Sequence, residues 1–328
     1  MDAVPGAGRG IARRLLSPPQ ELTLEELAEA WAHTVTVWRC SGKGHLADDL
    51  SAPNKIRGAW GRAMMRSASA EALDGKPCPW EPPCALHVLM GDHGGAGRGL
   101  HFPKPFVIQL ESDGPNLLVC LTLFGFANDW RAAAVEAMTA ALREGVKIPG
   151  RMETLEPVGI AMEAHAGLCL PPETGAAHLM FRTPVQLRSG TALHGSLAAL
   201  VSSLGNRVSG LGRWQGVLVS ADWRGIKQAA AGLDIEVRAA QPAVWRRKAR
   251  RGGDHALPGL LLSLRISGDL TPVLPLLVIG QTCHAGSHAA LGMGRYDLSF
   301  EAPEISSTLW NFDNYLNFDN EVYRSGQN

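Results

Sequence analysis

Between His33 and Trp38 the chain alternates His33, Val35 and Val37 with Thr34, Thr36 and Trp38, the period of two that a strand requires. Just upstream, Thr23-Leu24-Glu25-Glu26 carries the spacing of a helix start. A loop from Arg39 to Pro53 leads into residues 54–65, where Ile56, Trp60, Ala63 and Met64 recur on one face of an amphipathic helix whose opposite side is basic. Residues 74–105, dense in proline and glycine, read as a long excursion. Phe106–Leu110 and Leu117–Leu123 then flank Ser112-Asp113-Gly114-Pro115, which predicts a hairpin. Asn128 is expected to cap a helix running to about Arg143 and ending near Gly145, and a strand over 151–163 closes this half. In the second half the pattern predicts a strand over Ala177–Leu187, a helix over Ala192–Leu204, strands over Ile235–Arg238 and Leu260–Ile266, a helix over Leu270–Gln281 and a last strand over Gly294–Phe300.

Each half thus reads strand, helix, two strands, helix, strand, the order of a ferredoxin-like unit. The fold class expected is α+β: two tandem ferredoxin-like (RRM-like) units with antiparallel sheets, over residues 1–172 and 173–300, with a junction near Leu170-Pro171-Pro172-Glu173. An acidic tail, 301–328, repeats Asn311-Phe312-Asp313-Asn314 as Asn317-Phe318-Asp319-Asn320, a pattern outside any core that reads as a terminus or docking segment.

No apolar run approaches the ~18 residues of a membrane span, and Asp2 with no apolar stretch behind the first arginines argues against a leader. A soluble, cytoplasmic protein is expected. Six unevenly spaced cysteines are too few for a disulfide scaffold. The formal net charge of zero hides a sorting along the chain: residues 182–295 hold fourteen Lys/Arg against five Asp/Glu, whereas 1–181 and 301–328 each sum to −4. A basic half inside a neutral protein fits a phosphate-rich partner confined to one face, or a merely solvated face.

The densest chemistry lies in Gly280-Gln281-Thr282-Cys283-His284-Ala285-Gly286-Ser287-His288-Ala289-Ala290-Leu291-Gly292-Met293-Gly294-Arg295-Tyr296. Glycines let backbone amides approach a phosphate closely, but the run lacks both the Gly-Lys-Ser/Thr of nucleotide hydrolases and the dinucleotide fingerprint. Together with Ser267-Gly268-Asp269-Leu270 and Leu274-Pro275-Leu276-Leu277, it resembles the C-terminal signature of the CRISPR-associated repeat-processing endoribonucleases of the RAMP superfamily. Further matches are Arg57-Gly58-Ala59-Trp60-Gly61, Pro103-Lys104-Pro105-Phe106, Leu121-Thr122-Leu123-Phe124-Gly125 and Trp245-Arg246-Arg247, so the resemblance spans about residues 33–300. Ser287 stands where the family often has Lys. The long, divergent N-terminal half is similar to the type IV version of the family.

The resemblance implies cleavage of a CRISPR precursor transcript at its repeat, without metal or cofactor, by attack of a ribose 2′-hydroxyl on its own phosphodiester. That chemistry needs a base, an acid and cations for the phosphorane charge. By location, between the first strand and the first helix, His45 is the acid/base candidate, alongside the reading of a surface loop histidine. This chain has only Tyr296, Tyr315 and Tyr323, so a tyrosine partner is not expected; Arg39, Lys43, Arg57 and Arg62 could supply the charge instead. Trp245-Arg246-Arg247-Lys248-Ala249-Arg250-Arg251, ringed by cations at helical spacing, reads as a finger entering the groove of an RNA stem-loop or as a solvated loop. Arg224, Lys227 and Arg238 extend the track, and His284, Gly286, His288, Gly292, Gly294 and Arg295 are expected against RNA.

Cys78 and Cys84, with His87, His93 and His101, have thiolate and imidazole ligands at a spacing outside the usual zinc range; a proline-stiffened loop with buried thiols is the reading preferred, and no metal is expected. His165 and His178 read as core or surface residues, and Trp80 and Trp223 as packing residues. Three functions stay open: an endoribonuclease that matures CRISPR RNA and stays bound to the crRNA beside other effector subunits, a catalytically inactive RAMP subunit that caps the guide, and a general RNA-binding protein.

Overall fold

The computed structural model describes residues 8–97, 100–148, 151–172, 175–187, 197–248 and 254–301. Strand β2 (Ala32–Cys40) falls where the alternation places it, after helix α1 (Gly8–Leu16), strand β1 (Gln20–Leu22) and helix α2 (Leu24–Ala30). Helix α2 is closed at its start by a reciprocal pair: Thr23 accepts from Glu26 N at 3.2 Å and Glu26 accepts from Thr23 N at 2.8 Å. Helix α3 (Ala52–Met64) buries Ile56, Trp60, Ala63 and Met64, the face read from the sequence. The excursion that follows holds helix α4 (Ala70–Leu73) and one π turn (Leu86–Met90).

Strands β3 (Phe106–Asp113) and β4 (Asn116–Phe124) form the expected hairpin. Helix α5 (Arg131–Glu144) differs at its start: a 3₁₀ turn over Gly125–Trp130 precedes it, and the Asn128 amide donates to Gly125 O at 2.9 Å. Asn128 therefore braces that turn and does not cap the helix. At the other end Gly145 adopts φ +103°, the left-handed region where glycine carries no Cβ penalty. A small ribbon, β5 (Val146–Ile148) and β6 (Arg151–Glu153), leads to β7 (Pro157–Ala166). The sheet order β3-β4-β2-β7 is that of a ferredoxin-like unit. Trp60 Nε1 donates to Ala134 O and Trp38 Nε1 to Thr139 Oγ1, fastening α3 and β2 to α5.

The second sheet repeats this order as β10-β11-β8-β12. It comprises β8 (Ala176–Phe181), β10 (Asp234–Lys248), β11 (Asp254–Ser267) and β12 (Tyr296–Phe300), with α6 (Ala198–Trp214), β9 (Val217–Val219), α7 (Trp223–Gly232) and α8 (Leu274–Cys283) completing the half. Three expectations change here. Strand β8 stops at Phe181, helix α6 reaches ten residues beyond its expected end at Leu204, and the described part of the basic run, Trp245 to Lys248, lies on a strand, not a helix. Strand β10 pairs through Arg246↔Ala256, Arg247↔His255 and Lys248↔Asp254. The pairing is imposed by tertiary contacts that a local pattern does not contain: Trp245 is buried against Leu291 and Met293 of the glycine-rich loop. The tail beyond Glu301, with its Asn-Phe-Asp-Asn repeat, lies outside the described residues, as do Arg250 and Arg251.

The two halves share one continuous core. Strand β1 pairs in parallel with β9, and Arg213 donates to Leu15 O at 2.9 Å and Leu16 O at 3.0 Å, so the segment before α2 packs on the second half. Gln215 closes both backbone groups of Ala32, and Trp31 Nε1 donates to Thr282 Oγ1 at 3.0 Å. These buried, hydrogen-bonded contacts fix the halves against each other.

Candidate RNA-processing groove

The chain leaves β2 through Gly42, at φ +68°, and enters a 3₁₀ turn over Gly44–Asp48. Gly44 donates to Pro115 O at 2.9 Å, and a Cβ there would stand 2.5 Å from Gly114 O, so only glycine lets the turn lie on the β3–β4 hairpin. Asp49 Oδ1 accepts from Ser51 N at 2.8 Å and leads into α3. His45 is exposed on this turn.

Across from it, the glycine-rich loop folds on itself. His284, Gly286, His288, Gly292 and Gly294 all have positive φ, and the amides of Ala285, Ser287 and Gly294 donate to Gly294 O, Gln186 O and Pro184 O. These amides already have protein partners. Gly292 meets the first half: its Cβ would lie 2.6 Å from Ile108 O on β3. Turn geometry and close packing require glycine at Gly286, Gly292 and Gly294, and the Gly292 and Gly294 amides donate to Ala289 O and Pro184 O. His284 is enclosed by the same packing. It is 1% exposed, contacts Gln109 Oε1 at 3.2 Å, and burial, reinforced by Arg295 and Arg207, pushes its pKa well below the ordinary histidine value. This neutral, enclosed imidazole buttresses the loop.

Where the two pieces meet, a groove is lined by Ala47, Asp49 and Pro53 on one wall and Thr183, Met293 and Arg295 on the other. Thr183 Oγ1 donates to Gly292 O at 2.6 Å and accepts from Arg295 N at 2.9 Å. The Arg295 guanidinium lies 2.8 Å from Glu111 Oε1. The first loop, first helix and glycine-rich loop thus converge, although the cations do not converge with them. Arg39 pairs with Asp113 at 2.9 Å and Lys43 with Glu153 at 2.7 Å, and the Lys43 hydrogen bond holds the Glu153 carboxyl below its usual range. Arg57, half-buried, follows Pro53 by one helical turn on α3, while Arg62 is exposed farther on.

Lys104, not singled out as a site residue, belongs to this cationic end. Its Nζ donates to Met90 O at 2.9 Å and also to Gly91 O. Burial brings its pKa down to about 8, against the opposing pull of Asp92 and with a further push from Arg57. The readable signal was a lysine held between Pro103 and Pro105.

Arg224 and Lys227 are exposed on α7, and Arg238 sits at a bulge in β10, 3.5 Å from Glu236. At ~3.4 Å per residue, Arg238 and Arg246 are ~27 Å apart along the strand, so the track has two separate ends. His288 packs edge-on against Trp245 at 5.5 Å, tying the basic hairpin to the glycine-rich loop. Cys78 and Cys84 are buried free thiols, with Cys84 N donating to Cys78 Sγ at 3.3 Å. Trp80 and Trp223, both expected to pack, are 47% and 37% exposed, with one edge of Trp223 against Gly205. Among the described residues no three His, Cys, Asp or Glu are arranged to hold a metal ion, and no helix is long and apolar enough to cross a membrane.

Fold and groove together define a protein of two ferredoxin-like units, whose glycine-rich loop closes against the first loop and helix. Residues 179–296 match the family model described as CRISPR-associated endoribonuclease Cas6. Two solved Cas6 product complexes share the fold: one at 16% identity and TM-score 0.50, covering 82% of this chain and 99% of that one, the other at 14% and 0.53, covering 82% and 100%. No curated protein sequence matches the chain. The second half is thus similar to the Cas6 endoribonucleases over residues 179–296, the stretch that holds Leu274-Pro275-Leu276-Leu277 and Gly292-Met293-Gly294-Arg295-Tyr296, and the fold of the chain is that of the solved Cas6 structures.

Proposed function

We propose that this protein cleaves CRISPR precursor RNA within the repeat, without a metal ion, and stays bound to the mature crRNA alongside other effector subunits in the cytoplasm. The observation that carries the reading is the groove between Asp49 and Arg295, formed by loops from both halves with exposed His45 on one of them. In the reaction the 2′-hydroxyl loses its proton to a base as its oxygen bonds to phosphorus, and the P–O5′ bond breaks as that oxygen gains a proton. The products are a 2′,3′-cyclic phosphate and a 5′-hydroxyl. His45 serves as the acid or base, because its imidazole is exposed on the turn that leads into the groove wall, within reach of a bound phosphodiester.

Arg57 and Arg295 would offset the phosphorane charge, Arg295 by leaving Glu111 just as Arg39 and Lys43 reach it only by leaving Asp113 and Glu153. The β10–β11 hairpin grips phosphates with Arg246, Arg247 and Lys248, positioning the stem without reading its sequence. Repeat RNA incubated with the protein in EDTA tests the reading. Cleavage to a cyclic phosphate supports it, and binding without cleavage under any condition would favour the inactive, guide-capping alternative.

A further inference from the structure

The loop between α4 and the π turn holds two cysteines that RNA cleavage does not use. Cys78 is fully buried and Cys84 nearly so, and Cys84 N donates to Cys78 Sγ at 3.3 Å. Residues 79–82 between them, two prolines with Trp80 and Glu81, are all exposed, so lifting this arch to admit a small reagent uncovers none of its side chains from the core. The far side of the loop is fixed: Trp130 Nε1 donates to Pro83 O at 2.6 Å and Val88 N to Cys84 O at 3.2 Å.

Five thiols of the chain are buried, and burial pushes Cys40, Cys120 and Cys283 up. Burial acts the same way at Cys78, but the Ser69 hydroxyl, the Cys84 and Trp80 amides and the Cys84 thiol all donate to its sulfur and bring it below the ordinary thiol value. Ser69 Oγ accepts from Ala72 N at 3.1 Å, which leaves its own proton for that sulfur. Cys84 goes the other way, raised by burial and by Cys78 beside it. One sulfur is therefore poised to attack while the other, in contact with it, waits as a thiol, the asymmetry that dithiol chemistry uses. We infer that Cys78 and Cys84 are a reversible thiol–disulfide site whose oxidant is a low-molecular-weight disulfide. Cys78 Sγ bonds to one sulfur of the small disulfide, whose S–S bond breaks and releases a thiolate that takes the Cys84 proton. Cys84 Sγ then bonds to Cys78 Sγ and expels the second thiolate, which takes up the proton Cys78 had lost. The two cysteines give up two electrons, and one small disulfide becomes two thiols. Closure staples the chain just before the π turn whose last carbonyl, with that of Gly91, holds Lys104. The inference is independent of RNA cleavage.

The test uses the full chain with Cys169→Ser, which removes the exposed cysteine. After excess glutathione disulfide under native conditions, intact mass spectrometry should show the loss of two hydrogens with no glutathione retained. On unfolding in N-ethylmaleimide, Cys40, Cys120 and Cys283 should be alkylated and Cys78 and Cys84 blocked, and dithiothreitol should reverse the change. In the same background Cys84→Ser should trap one glutathione on Cys78, whereas Cys78→Ser should react at Cys84 ~10-fold more slowly or less; circular dichroism checks that both variants fold. An unchanged mass in the Cys169→Ser protein overturns the inference, as do separate glutathione adducts on Cys78 and Cys84, reaction of all five buried thiols together, or trapping at Cys84 in preference to Cys78.

Discussion

Gly294→Ala is expected to destabilise the protein far more than Gly42→Ala, although both glycines have φ +68°. Alanine in the left-handed region costs ~1–2 kcal/mol, offset by ~0.4–1 kcal/mol from a less free unfolded chain. At Gly42 nothing lies within 4 Å of the added carbon, so that small net cost is the whole effect. At Gly294 the carbon would stand 1.9 Å from Ala285 O, well under the ~3.4 Å of ordinary contact, and the Ala285 N to Gly294 O hydrogen bond would be pushed apart with it. A total of ~3–4 kcal/mol follows, or a fall in Tm of ~6–16 °C at ~2–4 °C per kcal/mol. Gly292→Ala should fall between, since Ile108 O lies 2.6 Å away on the other half. Thermal unfolding without RNA reads all three. If Gly294→Ala melts within ~2 °C of Gly42→Ala, the glycines are not there for packing, and the phosphate-cradle reading regains its place.

Burial, and then the nearby His165, lowers the His33 pKa to about 4, so the unfolded chain takes up a proton first as pH falls. Stability should drop between about pH 6.5 and 4 by up to ~3 kcal/mol, then level off; His33→Gln should narrow the difference between urea midpoints at pH 7 and 4.5, and an unchanged difference contradicts the assignment. Removing Arg246, Arg247, Arg250 and Arg251 together should lower the salt slope of RNA binding by about three units at ~0.7–0.9 per contact, equally for scrambled repeats; unchanged binding at every salt concentration would mean the run is only solvated. Glu111→Gln removes the carboxylate 2.8 Å from Arg295 and should tighten RNA binding several-fold at low salt, whereas weaker binding would show that the pair holds the groove open.

Where the local pattern and the tertiary environment agree, the sequence was sufficient. The alternation at β2, the face of α3 and the β3–β4 hairpin are all present because each buries its own apolar face. Where remote contacts decide, it was not. The basic run is a strand because β11 pairs with it and Trp245 anchors it on Leu291 and Met293, nearly fifty residues away. Residues 8–22 join the second half through β9 and Arg213, which no local pattern announces. For the site, the sequence proposes His45 and the glycine-rich loop, and the structure brings Ala47 of the turn that holds His45 and Gly292 and Met293 of that loop to one groove. It did not reveal that Arg39 and Lys43 are held in ion pairs, that His284 is enclosed, or that Lys104 is a buried cation, because each depends on partners distant in the chain.

The central claim is tested most directly by single-turnover cleavage of a repeat RNA in EDTA, comparing wild type with His45→Ala. The account predicts a 2′,3′-cyclic phosphate product from wild type and a rate ~100- to 10,000-fold lower for the variant, with repeat affinity nearly unchanged. Strict dependence on added magnesium, or a His45→Ala rate equal to wild type, would contradict it.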